Sequence, residues 1–211
     1  MTDDIDELTA GYRRFRAEKW PEARAEYGAL ASDGQKPHTL IVACSDSRAD
    51  PALIFDAAPG ELFVVRNVAN LVPPFETGGG RHGVSAALEF AVTVLQVEEV
   101  LVLGHGACGG VKAALAGNLK DAAPGEGGFV ASWISLLDEA REKVIAAHGQ
   151  GEEGQTALEQ EGVRTSLKNL MTFPFVKERV EAGELQLHGA VFAIKDGKLR
   201  VLEGDDRFEP A

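Results

Sequence analysis

Three apolar runs in the first half of the chain have the composition of buried β-strands. They cover residues 39–43, 62–65 and 100–103. A strand that is apolar without interruption is typical of a parallel sheet with both faces covered. Between the second and third runs, apolar residues over 84–95 recur every three or four positions, which predicts a crossover helix. The middle of the chain therefore predicts a β-α-β unit.

The second half of the chain alternates helical and extended patterns. Helices are predicted over about residues 111–115, 130–147 and 157–171, with connectors at 116–128 and 148–155. A strand over 185–194 leads into an Asp-Gly turn, a strong hairpin signal, and then a strand over 199–202. We expect an α/β fold whose central, mostly parallel sheet carries an antiparallel edge strand or hairpin and is flanked by helices.

The N-terminal stretch is rich in Glu, Ala, Arg and Lys, with apolar residues at helical spacing over 5–15. Proline is tolerated in the first turn of a helix and not in its interior. The pattern therefore predicts two helices, the second starting near Pro21. We expect residues 1–34 to be peripheral to an α/β core over 35–211, within one domain of 211 residues.

Composition and charge narrow the function classes. The chain is 45% hydrophobic and 26% charged, and it has no apolar run approaching the roughly 18 residues of a membrane span. Its 21 basic and 33 acidic residues give a formal charge of 21 − 33 = −12, which disfavours binding to nucleic acids and anionic membranes. The acidic N-terminus lacks the pattern of a secretory signal, so we expect cytoplasmic residence.

Two clusters of chemically active residues follow two of the predicted strands. One cluster is Cys44-Ser45-Asp46-Ser47-Arg48, and the other is Gly104-His105-Gly106-Ala107-Cys108-Gly109-Gly110. The carboxyl ends of parallel strands lie at one edge of a sheet, so the two clusters could converge there. Two cysteines and one histidine suit Zn²⁺ and leave a fourth position for a carboxylate or water. Residues two apart in an extended segment point the same way, so Arg48 could hold the carboxylate of Asp46 bidentately and fix its position near the metal.

Other interpretations fit parts of this pattern. Residues 104–109 match G-x-G-x-x-G, the dinucleotide fingerprint, although that motif belongs to the first β-α unit of its fold. Cys44 and Cys108 could instead form a disulfide or a closed zinc site that only holds the fold, which would need no Arg48. Each residue could also have an ordinary structural role, as a buried cysteine, a strand-end cap or a surface cation.

Three segments, in order, resemble the signature segments of β-class carbonic anhydrases. They are residues 44–48, 59–75 and 104–110, and the resemblance is strongest over about 36–115. It implies one Zn²⁺ per chain, held by Cys44, His105 and Cys108, with water at the fourth position in the active form and Asp46 there in a closed form. Arg48 would decide between these forms by drawing Asp46 off the metal. The implied reaction is the reversible hydration of carbon dioxide to bicarbonate and a proton, by attack of a zinc-bound hydroxide.

Positions around these motifs resemble the plant-like branch of the family, which bicarbonate does not inhibit. Gln35 lies nine residues before the first cysteine, where this branch has a glutamine that binds substrate. Ile41 replaces the tryptophan typical of the inhibited branch, and Phe90 replaces a pocket tyrosine found in many plant-like members, so the proton shuttle is not identified. The substrate-binding residues that the resemblance implies are Gln35, Phe63, Phe90, Gly109 and Gly110.

The resemblance also implies a partner subunit. The basic unit of the family is a dimer with active sites at the interface, over which the N-terminal helices reach. We therefore expect a homodimer or a dimer-based higher oligomer, in which Gln35 and Phe63 face the zinc of the neighbouring chain and the N-terminal helices pack on the partner. Relatives with the same zinc residues hydrolyse carbonyl sulfide or carbon disulfide, and the motif does not decide between these substrates.

Overall fold

The computed structural model describes residues 3–78, 80–204 and 206–211 of the chain. They divide into two compact units, Met1–Lys36 and Pro37–Ala211. No helix in the described ranges is long and apolar enough to cross a membrane.

The N-terminal unit is helical from Asp3 to Asp33. It consists of helix α1 (Asp3–Arg14), a π-helical turn (Phe15–Lys19) and helix α2 (Trp20–Asp33). The second helix begins next to Pro21 as predicted, but no loop precedes it. The amide of Trp20 bonds the carbonyl of Phe15, five residues back. This wider turn accommodates Pro21, which lacks an N–H and would clash with the carbonyl four residues before it in a regular α-helix.

A single mixed sheet forms the centre of the second unit. The described residues contribute six strands: β1 (Thr39–Cys44), β2 (Leu62–Asn67), β3 (Glu99–His105), β4 (Gln186–Ala193), β5 (Lys198–Glu203) and β6 (Arg207–Pro210). Their order is β2-β1-β3-β4-β5-β6. Strands β1 to β4 pair in parallel, whereas β5 pairs antiparallel with β4 and β6 pairs antiparallel with β5. This arrangement confirms the predicted α/β fold with a mostly parallel sheet and an antiparallel edge.

Helices flank the sheet, and a second π-helical turn (Phe90–Leu95) extends the helix that ends at Glu89. The helices are α3 (Pro51–Ile54), α4 (Gly83–Glu89), α5 (Gly109–Ala116), α6 (Gly128–Ile134), α7 (Asp138–His148), α8 (Glu152–Leu170) and α9 (Pro174–Glu181). The prediction of a single helix over 130–147 was wrong in one respect, because a 3₁₀ turn at Ser135–Leu137 divides this stretch into α6 and α7. Helix α8 begins inside the predicted connector.

The apolar character of β1 follows from burial on both of its faces. Leu40 and Val42 pack into one hydrophobic cluster, whereas Ile41 and Ala43 pack into another. Since successive side chains of a strand point to opposite faces, both faces of β1 are covered and no polar alternation is possible.

Helix α8 packs closely on the sheet because two strand positions lack side chains. A Cβ atom at Gly104 of β3 would lie 2.8 Å from Val163 Cγ2, and one at Gly189 of β4 would lie 2.7 Å from Val163 Cγ1. Val163, a buried residue of α8, therefore occupies the space that larger residues would fill on these two neighbouring strands. This close approach fixes the side chains of α8 relative to the end of β3.

Candidate active site

Strand pairing brings the two predicted clusters together. Strands β1 and β3 are neighbours, with Ala43 opposite Leu103, so Cys44 and His105 end adjacent strands at the same edge. After His105 the chain turns through Ala107, whose φ of 54° lies in the left-handed region, and enters α5 at Gly109. This turn places Cys108 Sγ 4.0 Å from Cys44 Sγ.

Cys44, His105 and Cys108 form a buried cluster with the donor set of a zinc site. One ligand atom of each residue lies within 4.8 Å of the ligand atoms of the other two. In the described part of the chain, this is the group of His, Cys, Asp and Glu side chains that could hold a metal ion. His105 Nδ1 lies 2.9 Å from the carbonyl oxygen of Gly106. The other ring nitrogen, Nε2, is buried and has no hydrogen-bond partner. A buried polar atom without a partner is costly, and a metal ion would satisfy it. The residues therefore fit zinc.

The two sulfurs differ in how readily they lose a proton. A hydrogen bond from the Cys108 thiol lowers the pKa of Cys44 to about 4, against the opposing effect of burial, and the neighbouring His105 ring and the amides of Asp46 and Ala69 also lower it. The same bond, together with burial, raises the pKa of Cys108. Without a cation the site thus favours one thiolate, because a second negative charge 4.0 Å away is unfavourable. A divalent cation would allow both sulfurs to be thiolates.

Asp46 and Arg48 form a bidentate ion pair beside this cluster. Arg48 Nε donates to Asp46 Oδ1 at 3.0 Å, and Arg48 Nη2 donates to Oδ2 at 2.7 Å. These bonds hold the pKa of Asp46 well below its usual range. The pair does not arise from an extended segment, as the sequence interpretation assumed. Asp46 instead caps a 3₁₀ turn over Ser47–Ala49, accepting a bond from the Arg48 amide at 2.9 Å.

Arg66, to which the sequence interpretation gave no role, contacts the end of β1 and the segment after it. Arg66 of β2 donates to the carbonyl oxygen of Cys44 at 2.9 Å and to that of Asp46 at 2.6 Å. Its third contact is with Asp50 Oδ2 at 2.6 Å. A basic residue near the end of a strand in the predicted parallel sheet was the available signal, because that edge carries the site.

Helix α8 contributes a buried carboxylate that the sequence interpretation also missed. Glu159 is 5% exposed, and its Oε1 accepts a bond from the Cys108 amide at 3.0 Å. Burial raises the pKa of Glu159, whereas the Cys108 amide and Gln155 oppose that rise. The signal was its position four residues before Val163, inside the apolar stripe of a predicted helix, where a solvated glutamate is unexpected.

The structure places the predicted substrate-binding residues in three different regions. Gly109 and Gly110 open α5 directly after Cys108. The rings of Phe63 and Phe90 contact each other, with centroids 5.8 Å apart. Phe63 pairs with Leu40, four residues before the level of Cys44, so it lies about 13 Å along the strand from its own chain's cluster. Gln35 is exposed in the N-terminal unit.

Comparisons with known proteins agree on one family. A family model described as carbonic anhydrase matches residues 39–199. The chain is 36% identical to beta carbonic anhydrase 3 of Arabidopsis thaliana in an alignment of 213 positions, which covers 99% of this chain and 81% of that protein. The solved structure of the β-carbonic anhydrase CcaA is 32% identical, with a TM-score of 0.90 over 100% of this chain and 93% of that one. One of two tetrameric β-carbonic anhydrases from Sordaria macrospora gives 29% identity and a TM-score of 0.79 over 95% and 98%.

Proposed function

The chain belongs to the β class of carbonic anhydrases, which are zinc enzymes, and on that premise we propose that it interconverts carbon dioxide and bicarbonate at one zinc centre per chain. Cys44, His105 and Cys108 would hold the ion. The observation that carries this assignment is the buried, unpaired Nε2 of His105, in a group in which a ring nitrogen of His105 and the two cysteine sulfurs lie within 4.8 Å of one another. When bound, zinc acts as a Lewis acid that lowers the pKa of a coordinated water to about 7 and so supplies a nucleophile near neutral pH.

Asp46 and Arg48 would decide whether the fourth position of the metal stays open. Arg48 engages both carboxylate oxygens of Asp46 and keeps that group ionised. A carboxylate occupied in this way is available to accept a hydrogen bond and is unavailable as a metal ligand. Breaking the pair would free Asp46 to complete a closed site.

The start of α5 offers backbone amides for the oxygen atoms of the substrate. The Gly110 amide is directed at the Cys108 sulfur, and together with that of Val111 it lowers the pKa of that thiol. Gly109 is therefore the simpler candidate for contact with substrate. Gly110 also requires the absence of a side chain, because a Cβ there would lie 2.6 Å from Val68 Cγ1.

We also propose a homodimer or dimer-based oligomer of the plant-like branch, with Gln35, Phe63 and Phe90 serving the partner's site. The distance of Phe63 from its own Cys44 supports this arrangement. Large apolar side chains are exposed on the second unit, among them Leu53 at 81% and Phe90 at 45%. The Sordaria macrospora relative is tetrameric. That the two compact units act as one domain, and that the chain resides in the cytoplasm, are further proposals.

Stopped-flow hydration of carbon dioxide, on protein whose zinc content has been determined by elemental analysis, tests the proposed reaction. We expect about one zinc per chain and rapid hydration in the wild type. If zinc is present but carbon dioxide is not hydrated, carbonyl sulfide or carbon disulfide becomes the favoured substrate, as in the relatives that hydrolyse them. If zinc is absent, the proposed metal site is rejected.

Arg48→Ala tests the proposed switch. This variant should keep its zinc, because Arg48 is not a ligand, and should lose at least about a hundredfold in kcat, because Asp46 would be free to bind the metal. Arg81→Ala, at an exposed arginine on the loop before α4, is the matched control and should behave as wild type. If Arg48→Ala hydrates carbon dioxide at the wild-type rate, the proposed role of Arg48 in keeping Asp46 off the metal is contradicted.

A further inference from the structure

The peptide group between Ala107 and Cys108 is held from both sides by charged side chains. Its carbonyl oxygen, on Ala107, accepts a bond from Arg48 Nη2 at 3.2 Å. Its N–H, on Cys108, donates to Glu159 Oε1 at 3.0 Å. Because the atoms of one peptide group lie in a plane, these two bonds fix the orientation of that plane. The left-handed φ of Ala107 is uncommon for a residue with a Cβ, so the turn depends on such support.

Glu159 does not act alone on this segment. Gln155, one turn earlier on α8, donates from Nε2 to Glu159 Oε1 at 3.0 Å and to the carbonyl oxygen of Cys108 at 3.4 Å. The two side chains therefore contact both the N–H and the C=O of Cys108. A carboxylate that is 5% exposed is costly unless its hydrogen bonds are made, and an apolar residue would pack here without that cost.

We propose that Glu159 is a positioning residue for the reaction, acting through the Ala107–Cys108 peptide. By orienting that peptide, Glu159 fixes the position of the Ala107 carbonyl oxygen, which accepts a hydrogen bond from Arg48 and so helps to position the Arg48–Asp46 pair. It also orients Cys108 toward the metal. The contacts form one continuous path from Glu159 through the peptide to Arg48 and Asp46. The inference rests on the proposed zinc site and on the roles proposed above for Asp46 and Arg48.

Two conservative substitutions separate the reach of Glu159 from its charge. Glu159→Gln keeps an oxygen at the same distance from the Cys108 amide and removes the charge. Glu159→Asp keeps the charge and withdraws the oxygen by one methylene group. A positioning role requires the first variant to remain close to wild type and the second to be impaired, whereas a purely electrostatic role requires the reverse.

The experiment measures steady-state hydration by both variants and the absorption spectrum of their cobalt-substituted forms. We expect Glu159→Asp to lose about tenfold to a hundredfold in kcat with KM little changed, and to shift its thiolate-to-cobalt band, because a small displacement of reacting groups has effects of this size. Glu159→Gln should stay within about threefold of wild type in kcat with an unshifted band. Glu152→Asp and Glu152→Gln, at an exposed position on the same helix, are the matched controls.

Three results would overturn the positioning role. Glu159→Asp could match wild type in kcat and spectrum, Glu159→Gln could be as damaged as Glu159→Asp, or both could lower only the melting temperature of the chelator-treated protein. The cobalt spectrum also separates this inference from the proposed function. If the wild type does not hydrate carbon dioxide, the function fails, and the position of the thiolate-to-cobalt band in the two variants still decides whether Glu159 orients Cys108.

Discussion

Arg66 holds the segment between Cys44 and Asp46 through three oxygen atoms. Two of these are backbone carbonyls, at 2.9 and 2.6 Å, and the third belongs to the Asp50 carboxylate. A planar guanidinium presents its donors in a fixed fork, which suits three acceptors in different directions. Arg66 therefore determines the path of the backbone that carries one zinc ligand and the ion pair beside it.

Replacing Arg66 by lysine should destabilise the protein although the charge is kept. The three donors of a lysine share one nitrogen, which cannot take the places of the three separate Arg66 nitrogens that contact the Cys44 carbonyl, the Asp46 carbonyl and the Asp50 carboxylate. We expect the free energy of unfolding to fall by about 2–3 kcal/mol in urea titrations of the zinc-loaded protein. Arg81→Lys, on an exposed loop, should change it by less than about 0.5 kcal/mol. An equally small change for Arg66→Lys would contradict the three-point contact.

At the scale of elements, the position of α8 depends on two glycines of the sheet. Gly104 and Gly189 leave the space on β3 and β4 into which Val163 fits. Glu159 lies one turn before Val163 on the same helix, so its reach to the Cys108 amide is set by how closely α8 approaches the sheet. A packing contact without polar atoms thus controls the geometry of a polar contact at the site.

A double-mutant cycle between Gly189 and Val163 tests this packing contact between α8 and the sheet. Gly189→Ala alone should destabilise by about 1–3 kcal/mol, because the added methyl would meet Val163. Val163→Ala removes the atom that lies nearest to the added methyl, so the double variant should lose at least about 1 kcal/mol less than the sum of the single variants. Gly189→Ala combined with Val144→Ala, a buried valine of α7, should be additive in denaturant titrations. Additivity in the first pair would rule out the contact.

The sequence predicted those elements whose pattern is local. The runs at β1, β2 and β3 are apolar because both faces are covered, and their ends carry Cys44 and His105, so the convergence of the two clusters was predictable. Helix α9 and strand β6 were not predicted, since one is eight residues long and the other has charged residues and Pro210. Arg66 and Glu159 were missed because their contacts with the segments that follow β1 and β3 join residues 16 or more positions apart, which no local pattern encodes.

At the scale of the whole molecule, the N-terminal unit leaves apolar side chains in solvent. Leu8 of α1 is 71% exposed and Tyr12, one turn later, is 60% exposed. An apolar stripe on a helix that is otherwise polar is typical of an interface. This face is where the proposed oligomer would place contacts with a partner subunit.

Adding charge to this stripe should weaken self-association. We expect the wild type to have a mass of at least two chains of 22.4 kDa in size-exclusion chromatography with light scattering. The double variant Leu8→Asp/Tyr12→Asp should shift toward smaller species, because two carboxylates would be buried at the interface. Thr9→Asp, an exposed neighbour, is the control and should keep the wild-type mass. A wild type that is monomeric and fully active would contradict the proposed oligomer.

Cys44 and Cys108 are 64 positions apart in the sequence, nearly a third of the chain. An ion bound to both would act as a staple that closes this long loop, and a permanent cross-link of that length restricts the unfolded chain by about 4 kcal/mol. Zinc supply would then govern how long each molecule survives as well as how fast it turns over. A chain that loses its ion would lose this cross-link and would therefore become more susceptible to proteolysis.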